Sequence, residues 1–490
     1  MMKRISKTVG AKKGKGAETA FYADFKKKQQ KPKSDKSKSY QEKDLKYSEK
    51  FEKKGIDKEK NTFSSSKPSP RPKRDGGAAG AEHTMSTFAR HILTALPPME
   101  HATQQRAPEP LAAYPYMSEQ LIKLKEFNRF WNDKHLEGEI LPLIPAPQPR
   151  EYRATTRRRV FYNGKSLLLG FGEEKYINFP RAGTVKIVDS LLEPPSHAEI
   201  YKMLGERLIQ PAYKDLAEVM NFIIIRDTGE KAVIFNVAEL SGTIVRRLKA
   251  LAELLENGFT TVKSAWIFHD PSRSDYYLEQ KNIQPGTLRK KKLFGYDMLR
   301  LQVDELIFLV DPFAFSQVNV PMMQIMIKRA GALLGKADSL LDLYCGYGLF
   351  AHALSDSYKE ITGIDSSAPG INAAKNLYEK RKKMQDNLSR MNFYEGWISP
   401  EILQRRLPPT SANEHIILDP PRQGTGDGII DLLAARNPRK VLHIFCEINQ
   451  IPRALNEWKK SGYFPVQCQP LDMFAGTTGI ETLVVLQKKE

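Results

Sequence analysis

Leu340-Leu-Asp-Leu-Tyr-Cys-Gly346-Tyr-Gly348-Leu-Phe350 decides the fold of this chain: an apolar strand that runs straight into a Gly-x-Gly turn and then a helix. Glycines at that place let the backbone turn sharply and approach a ligand closely. Ala351 stands where a dinucleotide fingerprint carries its third glycine, a permitted variant, so the turn alone leaves a nicotinamide cofactor open. The next apolar run ends in Thr362-Gly-Ile-Asp365, a carboxylate 19 residues after Gly346. From such a strand end it can accept both hydroxyls of a ribose. Outward from this pair the rhythm of strand, turn and helix repeats. Helices are predicted over 349–355, 368–383 (opened by Ser367 and Pro369), 428–435 and 452–461, and strands over 360–364, 415–418 and 441–446. Two closing strand patterns, 465–474 and 481–486, lie close enough for an antiparallel ending. The pattern is that of an α/β protein with a doubly wound, mostly parallel sheet and an antiparallel final strand.

Three further stretches carry chemistry. Ile416-Ile-Leu-Asp419-Pro420-Pro421-Arg422-Gln-Gly424 ends a strand in the crevice where doubly wound folds bind ligands, and its two prolines stiffen the directions of Asp419 and Arg422. Val441-Leu-His-Ile-Phe-Cys446 places a thiol at the carboxyl tip of a strand in the same sheet, whereas Cys345 and Cys468 read as packing residues. Thr477-Thr-Gly-Ile-Glu481 puts a carboxylate at the start of the closing strand, where a crevice can tune it as a base. A thiol and a carboxylate together suit methylation of uracil at C5. Thiolate addition at C6 makes C5 nucleophilic, and a base must then remove the C5 proton so that the thiol can leave. These companions to the glycine turn point to S-adenosyl-L-methionine rather than a nicotinamide.

The motifs resemble the RNA uracil-C5 methyltransferases, which form 5-methyluridine in tRNA or large-subunit rRNA. The resemblance is best over Phe313 to Lys488 and weaker from about Tyr116, including Arg150-Glu-Tyr-Arg153. It rests on Phe313-Ala-Phe-Ser-Gln317-Val-Asn319, the 342–350 loop, Asp419-Pro-Pro-Arg422, Phe445-Cys446, and Met473-Phe474 through Glu481. It implies a class I S-adenosylmethionine-dependent methyltransferase domain with Cys446 as nucleophile and Glu481 as base. Gln317, Asp342, Tyr344, Gly346, Gly348, Asp365 and Asp419 would be cofactor contacts, and Phe315 and Arg422 substrate contacts. The chain also departs from the family: Phe445 stands for Ser and Glu447-Ile448 for Asn-Pro around the thiol, Gly479 for His near the base, and Leu349 for Asn after the glycines. Glu447 beside the thiol is expected to raise its pKa unless Arg422 or another cation compensates. These departures motivate a second reading, an RNA-binding or RNA-folding protein that keeps the fold without the chemistry. Methylation of cytosine C5 or of a base amine is weakened by Arg422, which occupies the place after the paired prolines where those enzymes carry a cysteine or an aromatic.

The rest of the chain fits this picture. It has 490 residues and a formal charge of +19, and residues 1–75 carry 24 lysines and arginines against 10 acids, so the charge is mostly a property of the tail. Residues 1–110 are read as a disordered Lys-rich tail, 111–310 as an α+β RNA-recognition domain, and 311–490 as the Rossmann-like catalytic domain. In the middle domain Leu121, Leu124, Phe127, Phe130 and Trp131 mark a helix with Ser118 as cap, Asn163-Gly164 a hairpin, 198–216 and 244–257 helices, and Arg153, Arg157, Arg158 and Arg159 a cluster that either meets phosphate or defends an exposed strand edge by charge. Three cysteines exclude the four-thiolate iron–sulfur cluster of some relatives, scattered histidines give no metal site, and no apolar run spans a membrane. The partner expected is structured RNA, tRNA or rRNA, met by a monomer in the reducing cytoplasm.

Overall fold

The structure, a computed structural model, describes residues 86–96, 109–170, 190–273 and 290–489. Most of the expected disordered tail therefore lies outside the described residues, but its last part is corrected. Thr87–Ala95 is a helix (α1) that buries Phe88 and Ile92, with Ser86 Oγ accepting the Ala89 N–H at 3.0 Å. Charge averaged over 110 residues hides this short apolar run, whose Phe88 ring meets Phe130 edge-on at 6.2 Å. Phe130 belongs to α2 (Tyr116–Asp133), which starts after Pro115 rather than at Ser118. Its Phe127 and Trp131 are buried as expected, yet Leu121 is 62% exposed, and Glu119, Lys123 and Glu126 lie inside. The helix is turned because Glu119 and Lys123 pair with each other and with Arg150 and Asp472, which satisfies charges that burial would otherwise penalise. Glu139–Ile140 (β1) follows.

A six-stranded sheet comes next. β2 (Thr155–Tyr162) and β3 (Leu167–Gly170) form the hairpin, with Asn163 Oδ1 accepting the N–H groups of Lys165 and Ser166. The single helix expected over 198–216 is two, α3 (Pro195–Leu208) and α4 (Lys214–Val219), separated at Pro211, which cannot donate within a helix. Then come β4 (Met220–Asp227), β5 (Lys231–Val237), α5 (Gly242–Gly258), β6 (Val262–His269) and β7 (Lys290–Gly295). The order is β3-β2-β4-β5-β6-β7, and α5 makes the crossover between the parallel pair β5 and β6. Helices cover one face, where Ile200, Leu204, Leu248 and Leu251 pack on Ile223, Ile225, Val233 and Phe235. Each such side chain contributes ~1.5–3 kcal/mol by leaving water. The arginine cluster divides between the two faces: Arg158 is buried against Glu193 and the Tyr201 ring, Arg159 lies over Phe222, and Arg157 is exposed.

The hairpin of β8 (Leu299–Val303) and β9 (Leu306–Val310) packs with α6 (Val320–Leu334) in the core of the second sheet. The boundary expected at 310 therefore falls before 299, and β1 shows that the segment after α2 also belongs to the second sheet. That sheet contains β10 (Ser339–Leu343), β11 (Glu360–Asp365), β12 (Arg390–Glu395), β13 (Glu414–Leu418), β14 (Lys440–Phe445), β15 (Tyr463–Leu471) and β16 (Glu481–Lys488), ordered β1-β15-β16-β14-β13-β10-β11-β12. Its helices are α7 (Leu349–Ala353), α8 (Ala368–Lys382), α9 (Pro400–Arg406), α10 (Ile429–Ala435) and α11 (Ile451–Lys460), layered on both faces. β10 to β14 run parallel, so their carboxyl ends share one edge, and β16 runs antiparallel to β14 with Thr482 opposite Phe445. The start of β16 thus lies beside the end of β14, which brings positions 446 and 481 together.

Candidate active site

At the end of β10 the chain turns through Tyr344, Gly346 and Gly348, all at positive φ (64°, 56° and 77°). The two glycines answer different needs. A Cβ on Gly348 would sit 3.0 Å from the Ala374 Cβ and 3.1 Å from His352 and Phe393, so this position packs the turn onto its neighbours. A Cβ on Gly346 would meet nothing within 4 Å, so this glycine faces open space. Asp365, at the tip of β11, shapes the turn by accepting the Gly346 N–H at 3.0 Å and the Ser367 N–H at 2.6 Å.

Two more carboxyls crowd the same edge. Asp342 is fully buried; one oxygen accepts the Ala351 N–H at 2.9 Å and the other has no hydrogen-bond partner among the described residues. Burial, with the charges of Asp419 and Asp365, pushes its carboxyl up to about 8. Burial and Asp365 push Asp419, at the end of β13, up to about 7. Burial, with Asp365 beside it, also pushes Tyr344 up to about 12. The two raised carboxyls and Asp365, from three adjacent strand ends, concentrate negative charge at one edge and form a place prepared for a cation. Asp342, Asp365, Asp419, Tyr344 and the open space at Gly346 fit a ligand with a ribose and a positively charged group.

Two strands further along stands the half-buried Cys446. Burial pushes its thiol up to about 12, helped by the Glu481 and Asp419 carboxylates and opposed by Arg422. Glu447, the residue expected to raise the thiol, is not the cause: its carboxylate caps the next turn by accepting the Asn449 N–H at 3.4 Å. Glu481 is 1% exposed, and neither carboxylate oxygen has a hydrogen-bond partner among the described residues. Burial and Asp419 hold it well above the usual carboxylate range, while Arg422 pulls it down. Cys446, Glu481, Asp419 and the exposed Arg422 therefore share one electrostatic neighbourhood.

The 313–319 loop presents Phe315, 76% exposed, and the half-buried Gln317. Arg226, at the end of β4, donates to the Ala314 carbonyl at 2.5 Å and to Ser316 Oγ at 2.8 Å, and Asn319 donates to the Met473 carbonyl at 3.0 Å. Sequence reasoning missed Arg226 because it sits in no motif. It also missed Lys123, where the available signal was a lysine on the apolar stripe of α2. Among the described residues no cluster of His, Cys, Asp and Glu could hold a metal, and no helix is long and apolar enough to cross a membrane.

Residues 287–489 match the family model described as tRNA (Uracil-5-)-methyltransferase. Over this part, about two fifths of its length, the chain is similar to that family. An uncharacterized RNA methyltransferase of Geobacter sulfurreducens is 29% identical over 364 residues, 72% of this chain and 69% of that protein. Another, of Clostridium acetobutylicum, is 24% identical over 393 residues, 76% of this chain and 80% of that protein. Among solved structures, the Pyrococcus abyssi tRNA (uracil-54, C5)-methyltransferase in complex with S-adenosyl-L-homocysteine superposes with a TM-score of 0.57 at 20% identity, covering 79% of this chain and 88% of that one. That likeness is one of fold, a class I methyltransferase sheet. The family match begins at residue 287, so α1, α2 and most of the six-stranded sheet lie outside it.

Proposed function

We propose that this protein is an S-adenosylmethionine-dependent RNA methyltransferase that forms 5-methyluridine through a covalent bond between Cys446 and uracil C6. The observation that carries the reading is the meeting of a half-buried thiol and a buried carboxylate, without a hydrogen-bond partner among the described residues, where β14 and β16 adjoin, two strands from the Gly346 turn. Gly346 and Asp365 hold the ribose side of the cofactor, while Asp342 and Asp419 face its positive charge, with Tyr344, Gly348 and Gln317 completing the pocket. S-adenosylmethionine, when bound, supplies a methyl group on a positively charged sulfur.

The half-buried Cys446 thiol gives its proton to solvent and the sulfur bonds to C6; Arg422 favours the anion, and the positive charge of a bound cofactor would add to this. The electron pair displaced from the C5–C6 double bond makes C5 the methyl acceptor. Glu481 then takes the C5 proton, the C5–C6 double bond re-forms, and the Cys446 thiolate departs. A uracil inside a stack cannot reach this crevice, so the target nucleotide is turned out toward Phe315, whose exposed ring offers a stacking surface. The sheet face away from the helices, where Phe222, Ile224, Ile234 and Phe268 are buried, adjoins the same loop: Phe313 packs against Trp266 at 5.4 Å, and Lys290 and Lys292 lie over Phe313 and Trp266. Those cations and Arg157 meet phosphates of a structured RNA, with tRNA the first substrate to examine, in the cytoplasm and with the protein a monomer.

The test is nucleoside mass spectrometry of tRNA and rRNA from cells lacking the protein. One RNA class should lose 5-methyluridine, regained on supplying the wild type but not Cys446→Ala. Unchanged 5-methyluridine in every class would remove the proposal. The thiol pushed up to about 12 favours the second reading, an RNA-binding protein without chemistry. Calorimetry separates the two, because that reading predicts RNA affinity with no affinity for S-adenosylmethionine.

A further inference from the structure

We infer that Glu119, Lys123 and Tyr152 are positioning residues for Glu481, acting through the loop 472–480; the inference rests on the base role proposed above. Leu471 and Glu481 are opposite one another on the last rung of the β15–β16 ladder, so the loop leaves and returns beside the carboxylate. Since no hydrogen bond among the described residues holds the Glu481 oxygens, their aim is set by the backbone and packing around them. Residues 472–480 are the part of that surrounding least fixed by the sheet.

The loop has few bonds of its own: Thr477 donates its N–H and its hydroxyl to the Phe474 carbonyl, and the Gly479 N–H reaches Thr477 Oγ1 at 3.1 Å. A run of its backbone groups is held from outside. Asn319 Nδ2 donates to the Met473 carbonyl at 3.0 Å, Lys123 Nζ to that of Phe474 at 3.2 Å, Tyr152 Oη to that of Ala475 at 2.8 Å, and the Leu111 N–H to that of Gly476 at 3.0 Å. Four successive carbonyls are thus met by four donors from elsewhere in the chain. The Gly476 N–H is met in turn by Glu119 Oε1.

The centre of this arrangement is Lys123, 0% exposed, which reaches Asp472 at 2.6 Å and Glu119 at 3.2 Å. Asp472 also accepts from Tyr116 Oη at 2.8 Å, and Glu119 from Arg150 at 3.0 Å. Charges buried this deeply give up hydration, and an apolar contact would close a loop at less cost. What the charges add is direction, since each hydrogen bond admits one placement of the loop backbone. Three of the four carbonyl donors come from residues 111–152, ahead of the family match, so the strap and the base it orients lie in different parts of the chain.

The test uses the full-length chain, S-adenosylmethionine and total RNA from cells lacking the protein. Tyr152→Phe and Glu119→Gln preserve shape, so they decide the matter even if Lys123→Met fails to fold. Both should lower turnover about tenfold and raise the fraction of protein trapped on RNA in a denaturing gel about threefold, with KM for S-adenosylmethionine unchanged, because methyl transfer proceeds while C5 deprotonation lags. Wild-type turnover and adduct levels in both variants, or slower turnover with no rise in adduct, would overturn the inference and leave the network a structural one. Glu481→Gln is the control. If it traps no adduct, the base assignment itself fails and the inference falls with it; if it traps adduct and the strap variants do not, the inference alone fails.

Discussion

Binding of S-adenosylmethionine should release protons from the carboxyl cluster, in an amount the structure bounds. Asp419 stands at about 7 and Asp342 at about 8 because burial and mutual repulsion disfavour their charged forms. A unit positive charge about 6 Å away, at an effective dielectric of ~20, favours each carboxylate by ~2.8 kcal/mol. That lowers each pKa by about two units. At pH 7 Asp419 then gives up about half a proton and Asp342 about 0.8, so release is on the order of one proton, falling to about 0.1 at pH 9. Isothermal titration calorimetry in buffers of different ionisation enthalpy reads this directly as the slope of apparent enthalpy. S-adenosylhomocysteine, which lacks the sulfonium charge, should release less. Binding enthalpies independent of buffer between pH 6 and 9 would refute the idea that these acids face the cofactor's positive charge.

Asp342→Asn should remove a stability slope. The raised pKa means the folded wild type holds a proton that the unfolded chain gives up near 4, so this group's stabilisation is complete below that and fades as pH rises to about 8. The variant lacks the slope, so its melting temperature should exceed the wild type's at pH 8–9, while S-adenosylmethionine affinity falls about tenfold. Gly346→Ala should fold with a penalty of ~1–2 kcal/mol from its positive φ. Gly348→Ala should cost more, because its methyl group meets Ala374, His352 and Phe393; denaturant titration ranks the two. Arg422→Ala should push both Cys446 and Glu481 higher, shifting the rise of thiol alkylation with pH to more alkaline values; an unshifted profile would separate Arg422 from the thiol.

The elements legible in the sequence were those whose signal is contiguous. Strand β10 with its glycine turn, Asp365 at the end of β11, the paired prolines after β13 and Cys446 after β14 each occupy one unbroken stretch, and the parallel sheet carries them to one edge. Strand β12 was not legible because it is an edge strand in which only Met391 and Phe393 are buried, too few to make a hydrophobic run. The division near 310 failed for a different reason: β1 and the β8–β9 hairpin join the second core by contacts distant in sequence, which local pattern does not report. In α2, apolar periodicity pointed Leu121 inward, but the charged pair Glu119 and Lys123 found partners inside and set the helix's rotation. Glu447 adjoins the thiol along the chain, but adjacency is not proximity of charge: its side chain bends to its own turn, and Glu481 and Asp419 load the thiol instead.

The account depends most on the sulfur of Cys446 bonding to the target base. Glu481→Gln protein, incubated with RNA from cells lacking the wild type and with S-adenosylmethionine, then digested with nuclease and protease, should yield one modified peptide in mass spectrometry. The account predicts the peptide containing Cys446 with a methylated uridine attached. An unmodified Cys446 peptide, or the same mass on Cys345 or Cys468, would contradict it.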